Sequence, residues 1–192
     1  GSVDEIGIFE MTEKGLTEVA DPSVLFITRR DGKQPAGVAC TAVFEGSRVF
    51  IVEIQALVVP AKASLSRVYS DKIDSARVAR VAAVLEKRTG LHFSDQDLYI
   101  NVAGGMRLTE GAIDAALAAA LYSARTDIAL AAETAVIGEL SLAGEIRPVP
   151  RLTQRTKTAQ NMGFSTVIAP EKSKGVSQAR DVKELVMLLF GT

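Results

Sequence analysis

An alanine-rich segment near the middle of the chain constrains the fold more than any other feature. Between residues 112 and 125, alanine occupies positions 112, 115, 116, 118, 119, 120 and 124, so small side chains lie on every face. Alanine has the best helix propensity, and short side chains let neighbouring elements approach the helix backbone closely. We therefore predict a central helix packed on a sheet, in an α/β (α+β) fold.

The remaining segments alternate between strand and helix patterns. The predicted strands are 7–11, 16–19, 37–45, 48–58, 98–102, 135–140, 145–149 and 165–169, and the further predicted helices are 70–88 (beginning at Ser70 or Asp71 and stopped by Gly90), 151–162 and 181–190. Hydrophobic alternation is only partial in the hairpin 37–58, so these strands are expected to be covered on both faces. No repeat or low-complexity linker divides the 192 residues, so we predict a single domain spanning 1–192.

Several classes of chemistry lack the residues that they need. The chain has one cysteine, Cys40, and one histidine, His92, which leaves little material for a disulfide framework, a zinc site or a His-based triad. Gly104-Gly105 lacks the following Gly-Lys-Ser/Thr of a phosphate-binding loop, so no metal or cofactor is expected here. No apolar run approaches the roughly 20 residues of a membrane helix, and no signal peptide precedes the first strand. We therefore expect a cytoplasmic chain with no membrane partner.

Charge is distributed unevenly although the formal net charge is only −1. Residues 1–23 contain six acidic side chains and one basic one, whereas residues 145–180 contain seven basic and two acidic. Such asymmetry suits a surface that meets phosphates, or two surfaces that meet each other in a ring of subunits. A solvated surface of mixed charge explains it equally well.

Two short stretches resemble the active-site segments of Lon-type serine proteases. Residues 110–114 read Glu-Gly-Ala-Ile-Asp, and residues 138–153 read Gly-Glu-Leu-Ser-Leu-Ala-Gly-Glu-Ile-Arg-Pro-Val-Pro-Arg-Leu-Thr. In the proteases, the first stretch carries a nucleophilic Ser and the second ends in the Lys that acts as its base. On this resemblance, the nucleophile position is Ala112 and the base position is Thr153.

Neither residue can perform the chemistry of the proteases. A Ser–Lys pair works because a desolvated Lys with a lowered pKa takes the proton from the attacking hydroxyl. Ala112 has no hydroxyl, and the neutral hydroxyl of Thr153 is far too weakly basic to accept that proton. Arg155 lies close to where the proteases often have a second Lys, but a guanidinium stays protonated. We therefore predict no catalytic residues and no peptide hydrolysis.

Nearly the whole chain is similar to the C-terminal Lon-like domain of the bacterial RadA (Sms) family. The similarity is carried by Val-Asp-Glu-Ile-Gly-Ile-Phe-Glu-Met at 3–11, Asp-Gln-Asp-Leu-Tyr-Ile-Asn-Val-Ala-Gly-Gly at 95–105, and Gly-Glu-Leu-Ser-Leu-Ala-Gly-Glu-Ile-Arg-Pro-Val at 138–149. Gly111 departs from the family, which usually has Pro there. The resemblance implies the ribosomal protein S5 domain 2-like fold of Lon proteolytic domains and a homo-oligomer, a ring of six.

The same resemblance implies a longer parent protein that acts in DNA repair and recombination. A four-cysteine zinc module and a RecA-like ATPase would precede this domain, so the parent would use Zn, Mg and ATP. It would be a DNA-dependent ATPase that supports branch migration and works with a RecA-like recombinase. This chain would then contribute ring assembly and DNA binding without sequence preference.

Basic side chains are the candidates for contacting a DNA backbone. The first group clusters where the protease cleft would be and consists of Arg147, Arg151, Arg155 and Lys157, with Arg107 in the loop before the alanine-rich helix. The second group lies along one helix face and consists of Arg77, Arg80 and Lys87. Each could instead form a surface or subunit-interface ion pair. With only three tyrosines and no tryptophan, base stacking is less expected than backbone contact.

Glu110 and Asp114 are interpreted as structural carboxylates that favour the start of the alanine-rich helix, where Glu110 could reach free backbone amides. Two alternatives to the DNA-binding interpretation remain. One is a purely structural ring module that captures peptides in the inactive cleft. The other is a peptidase with a different nucleophile, such as Ser141 or Thr153.

Overall fold

The architecture is described from a computed structural model, which covers residues 9–12, 15–18, 27, 28 and 30–192. The first two segments form an antiparallel pair of short strands, β1 (Phe9–Thr12) and β2 (Gly15–Glu18). The rest of the acidic segment 1–23 lies outside the described residues. Strands predicted at 7–11 and 16–19 therefore agree with the part that is described.

A seven-stranded mixed sheet organises the rest of the chain. The strands are β3 (Val38–Glu45), β4 (Arg48–Pro60), β5 (Val68–Ser70), β6 (Gln96–Val102), β7 (Thr134–Val136), β10 (Thr166–Ala169) and β11 (Val176–Gln178). Their order in the sheet is β11-β10-β7-β3-β4-β6-β5, with β3–β4 and β4–β6 antiparallel and the other four pairings parallel. This arrangement confirms the predicted α/β class.

Within residues 30–192, four α-helices pack on this sheet: α1 (Ser75–Thr89), α2 (Asp114–Thr126), α3 (Leu152–Asn161) and α4 (Val182–Phe190). A short 3₁₀ turn, Gly111–Ile113, leads into α2. Gly90 ends α1 in the left-handed conformation as predicted, and Asp181 caps α4 by accepting from the Glu184 amide at 2.8 Å. Among the described residues, no helix combines the length and the apolar character needed to cross a bilayer.

Helix α2 lies at the centre of the larger of two hydrophobic clusters. Seven of its apolar residues are almost completely buried, namely Ala115, Ala116, Leu117, Ala118, Ala119, Ala120 and Leu121. Helices α1 and α4 belong to the same cluster, whereas α3 belongs to a smaller one on the opposite face of the sheet. Along β3, Ala39 and Val43 face the first cluster and Cys40 and Ala42 the second. The central strands are therefore covered on both faces, as predicted.

Two local predictions need correction. Helix α1 begins after Asp74, whose carboxylate accepts from the Ala76 amide, and not at Ser70 or Asp71. Ser70 instead ends strand β5, and an isolated bridge from Ile73 to Leu108 keeps the connection extended. The predicted strand 135–140 is divided: β7 joins the large sheet, while β8 (Glu139–Leu140) pairs with β9 (Ile146–Arg147) in a separate small hairpin.

Candidate functional site

A groove of about 500 Å³ lies beside the first turn of the alanine-rich helix. We call it the Phe44 groove, and its lining residues are Phe44, Glu110, Gly111, Ala112, Glu139, Pro148, Val149, Pro150, Arg151 and Arg155. The end of β3, the turn before α2 and the segment from β8 to the start of α3 therefore meet here. The two stretches singled out in the sequence, 110–114 and 138–153, are brought together in space.

The groove lacks hydrolytic groups at the two positions that the protease resemblance singles out. Ala112 lines the groove but is 3% exposed and offers only a methyl group. Thr153 is exposed on α3 and does not line the groove. The Ser141 hydroxyl donates to a Glu145 carboxylate oxygen at 3.2 Å and accepts from the Glu145 amide at 3.1 Å, so it stabilises the β8–β9 turn. Ser141 does not line the groove either.

A buried ion pair occupies one wall of the groove. Both terminal nitrogens of Arg155 donate to the Glu110 carboxylate, and Arg155 also donates to the backbone oxygens of Ala42 at 2.9 Å and Pro150 at 3.0 Å. Its guanidinium carbon lies 4.8 Å from the centroid of the Phe44 ring. Arg155 is 3% exposed, so the prediction that it contacts DNA is wrong: every nitrogen is already used inside the protein.

The same ion pair corrects the role predicted for Glu110. Its side chain makes no hydrogen bond to the amides at the start of the 3₁₀ turn. It neutralises Arg155 instead, which lies 45 residues further along the chain. Because an unpaired buried charge is strongly unfavourable, the Glu110 carboxylate makes the burial of Arg155 in the wall of this groove possible.

Asp114 is a structural carboxylate, as interpreted from the sequence. It is 2% exposed, and it accepts from Arg77 Nη1 at 2.7 Å and from the Leu140 amide at 3.1 Å. Burial raises the pKa of Asp114 above its usual range, and the bonds from Arg77 and the Leu140 amide only partly oppose that rise. Asp114 therefore joins α1, α2 and β8, and it commits Arg77 to an internal ion pair.

The other predicted basic residues remain at the surface. Arg151 lies at the groove with its guanidinium carbon 4.7 Å from the Phe44 ring centroid, and Arg147, 61% exposed at its side chain, is 3.8 Å from Glu145. Lys157, Arg80 and Lys87 are exposed. Arg107 is exposed and donates to the backbone oxygen of Asp71 at 3.1 Å. The structure thus separates Arg147, Arg151 and Lys157 from the buried Arg155.

Sequence reasoning missed Phe44, whose ring lies within 5 Å of two guanidinium groups. It also missed Glu139, whose carboxylate packs against Gly111 in the space that a β-carbon at residue 111 would need. The local sequence signals neither contact. Phe44 reads only as an aromatic residue near the end of a strand, before the turn at Glu45-Gly46. Only the assembled fold brings these groups together.

A second buried ion pair lies apart from the groove. Two nitrogens of Arg30 donate to the two carboxylate oxygens of Glu53, each at 2.9 Å. Burial alone would raise the pKa of Glu53, but hydrogen bonds from Arg30 and Gln55 outweigh burial and lower it. The neighbouring Cys40 thiol is buried, and burial raises its pKa to about 12. Among the described residues, no group of three or more His, Cys, Asp or Glu side chains could hold a metal ion.

Comparison with known proteins assigns the chain to a family. The family model described as "ChlI: Subunit ChlI of Mg-chelatase" matches residues 64–173, which is more than half of the chain, so the chain belongs to that family. The matched region runs from the loop before β5 to the loop after β10. It includes the alanine-rich helix and most of the residues that line the Phe44 groove.

Three of the relatives that the chain matches are named DNA repair protein RadA. The chain is 63% identical over 170 residues to the DNA repair protein RadA of Treponema pallidum, 45% identical over 173 residues to that of Brucella abortus, and 45% identical over 170 residues to that of Bacillus subtilis. The matches cover 88%, 90% and 88% of this chain and 37% of each relative. The chain thus spans little more than a third of the length of these relatives.

Proposed function

We propose that this chain is the ring-forming and DNA-binding Lon-like domain of a RadA-type DNA repair protein, and that it has no peptidase activity. One observation carries the proposal: at the position where the protease resemblance requires a nucleophile, the Phe44 groove has the buried methyl group of Ala112, and a closed ion pair forms one wall, while Arg151 in its lining and the neighbouring Arg147 keep exposed guanidinium groups. The 63% identity to the DNA repair protein RadA of Treponema pallidum supports the same interpretation.

The absence of peptidase activity follows from proton chemistry. An attacking oxygen must lose its proton to a neutral base within hydrogen-bond reach. Ala112 supplies no hydroxyl oxygen, and the cations that line the groove, Arg151 and Arg155, carry guanidinium groups, which do not act as bases. Ser141 is bonded within its own turn, and Thr153 lies outside the groove.

DNA binding is proposed through phosphate contacts from Arg147, Arg151 and Lys157, with Arg107, Arg80 and Lys87 as further cationic positions. Arg155 and Arg77 are left out because each is held in an ion pair, with Glu110 and Asp114 respectively, in which one of the two side chains is buried. Such contacts ignore base sequence, and they weaken with added salt because bound counterions are released. With two or three cations near the groove in each subunit, useful affinity requires several subunits in one ring, for which we propose six.

The rest of the proposed parent protein supplies what this chain does not contain. A RecA-like ATPase using ATP and Mg, together with a zinc module, would occupy the remaining length of the RadA relatives. This domain would give that motor a ring-shaped platform. The assembly would support branch migration together with a RecA-like recombinase.

The test compares two double variants that lose the same charge. Arg147→Ala/Arg151→Ala should weaken binding of a fluorescent oligonucleotide at least tenfold at low salt and reduce the slope of log K against log salt by about 1.4, or about 0.7 per lost phosphate contact on a single strand. Lys172→Ala/Lys174→Ala changes two exposed lysines outside the groove and should bind like the unaltered chain. Equal affinities for the two variants would reject this patch.

A peptide-binding ring is the second candidate, favoured by the aromatic and proline lining of the groove formed by Phe44, Pro148 and Pro150. Light scattering that shows a hexamer without DNA affinity would select it. Casein turnover would revive the peptidase alternative, and its loss in Ser141→Ala/Thr153→Ala would assign that activity to these hydroxyls.

A further inference from the structure

An exposed row of apolar side chains crosses one edge of the large sheet, and none of its residues lines the Phe44 groove. Strand register places Leu57 of β4 opposite Tyr99 of β6, and Tyr99 beside Tyr69 of β5. Side chains that are paired across neighbouring strands lie on the same face. Their neighbours Val58, Leu98 and Val68 point to the opposite face and pack on the larger hydrophobic cluster.

This outer face is not covered by a helix among the described residues. Helix α3 packs over β3, β10 and the part of β4 that contains Val49 and Ile51. Beyond that point Leu57 is 57% exposed and Tyr69 is 42% exposed. The row therefore presents apolar and aromatic surface to solvent.

The two tyrosine rings form a stack with one free side. Their centroids are 4.6 Å apart and their planes differ by 14°. Tyr99 lies between Leu57 and Tyr69, whereas β5 is the last strand of the sheet, so no strand follows Tyr69 in the described sheet. A flat aromatic group could extend the stack on that outer side.

Cationic side chains precede and follow Tyr69 along the chain. Lys62 and Arg67 are exposed in the loop before β5, and neither forms an ion pair within the part of the chain that the structure describes. The nearby Asp97 carboxylate is buried and accepts from the Arg67 amide at 2.9 Å. After β5, Lys72 lies 3.5 Å from Asp71, and Arg107 donates to the Asp71 backbone. Planar aromatic surface between cations matches the alternating bases and phosphates of a single strand.

We propose that Tyr69 is a base-stacking site for single-stranded DNA, with Lys62 and Arg67 contacting the adjacent phosphates. This inference rests on the proposed DNA-binding function and deepens it, because it names the form of DNA and a second kind of contact. A base stacked on Tyr69 would join the Tyr69–Tyr99 stack and bury aromatic surface. Stacking accepts any base, so the site adds affinity without sequence preference.

The chain is suited to a direct test because it has three tyrosines and no tryptophan, so tyrosine fluorescence can be read without interference. The whole 192-residue chain is titrated with oligothymidylate and with an abasic oligonucleotide of equal length and charge. Oligothymidylate should quench tyrosine fluorescence and bind more tightly than the abasic strand. Tyr69→Leu should weaken oligothymidylate binding roughly 5- to 100-fold and leave abasic binding unchanged.

Two controls isolate the ring. Tyr69→Phe keeps an aromatic face and should bind like the unaltered chain, which also answers the objection that Tyr69→Leu misfolds. Tyr122→Phe alters a tyrosine stacked on Phe190 instead, at 4.9 Å, and should leave binding unchanged.

The outcomes separate this inference from the function on which it rests. If both oligonucleotides bind equally and Tyr69→Leu changes neither, base stacking is refuted while phosphate binding stands. If neither oligonucleotide binds at low salt, both are refuted. A change in mass by light scattering for Tyr69→Leu, with DNA binding intact, would assign the row to contact between copies of this chain and overturn the inference.

Discussion

Arg155 illustrates how a single residue can belong to the architecture of a site without being available to its ligand. Its three nitrogens make four hydrogen bonds to a carboxylate and two backbone oxygens, and its flat surface lies near Phe44. The partners come from three distant parts of the chain. The residue therefore ties β3, the turn before α2 and α3 into one wall of the groove.

Removing the partner of Arg155 should destabilise the fold. Glu110→Gln leaves a buried cation without a counter-charge, and we expect a loss of about 3 kcal/mol in the free energy of unfolding, measured by urea denaturation. The matched control is Glu184→Gln, which removes the exposed Arg180–Glu184 pair and should cost about 0.5 kcal/mol or less. Similar losses in both variants would mean that the Arg155 pair contributes no more than a surface contact.

Prediction from the sequence was weakest for the contacts of individual residues. Ala112 and Thr153 could be singled out because the motif fixes their positions locally. The burial of Arg155 could not be predicted, because its partner Glu110 is 45 residues away and its acceptor Ala42 is 113 residues away. Tyr69 and Tyr99 likewise meet only through strand register.

At the scale of elements, the small side chains of α2 set how closely the sheet and the neighbouring helices can pack. Ala115, Ala116 and Ala119 are at most 1% exposed in the centre of the larger cluster. Interiors of this density leave little space for added methylene groups. The alanine content is thus a packing requirement in addition to a helix preference.

Enlarging one buried alanine should test that requirement. Ala116→Leu is expected to lower the free energy of unfolding by about 1–3 kcal/mol because the larger side chain forces its neighbours apart. The matched control is Ala83→Leu, which makes the same change on the exposed face of α1. Helix propensity changes equally little there, so the free energy of unfolding should stay within about 0.5 kcal/mol of that of the unaltered chain. Equal thermal midpoints for the two variants would contradict tight packing around α2.

Long elements with a strong local pattern were predictable, and short ones were not. The hairpin β3–β4 and helices α2, α3 and α4 have several turns or alternations that reinforce one another. Strands β5 and β11 have three residues each and depend on parallel pairing with β6 and β10. The start of α1 was misplaced because Ser70, Asp71 and Asp74 are all good caps, and tertiary pairing of β5 and Ile73 decides among them.

At the scale of the whole molecule, two buried carboxylates respond to acid in opposite directions. The pKa of Glu53 is lowered, so its contribution to stability is present above its unfolded pKa of about 4.3 and is lost as the pH falls through the folded value. The pKa of Asp114 is raised, so its contribution is complete below about pH 3.9 and is lost as the pH rises through the folded value. Acid should therefore destabilise the protein through Glu53 and stabilise it through Asp114.

Two variants should separate these effects. Between pH 5 and pH 3, Glu53→Gln should lose less unfolding free energy than the unaltered chain, although its stability at pH 7 is lower because Arg30 is left unpaired. Asp114→Asn should lose more over the same interval, because the compensating protonation is gone. Urea denaturation at each pH provides the measurement, and parallel pH profiles for all three proteins would contradict the assignment.

Cys40 has a practical consequence for labelling this chain. It is the single thiol of the chain, it is buried between β4 and β7, and at neutral pH almost none of it is the reactive thiolate. A cysteine introduced at an exposed position could therefore take a fluorophore or a spin label selectively, without replacing the native thiol. The slow rate at which Cys40 itself reacts would report how often the central strands separate.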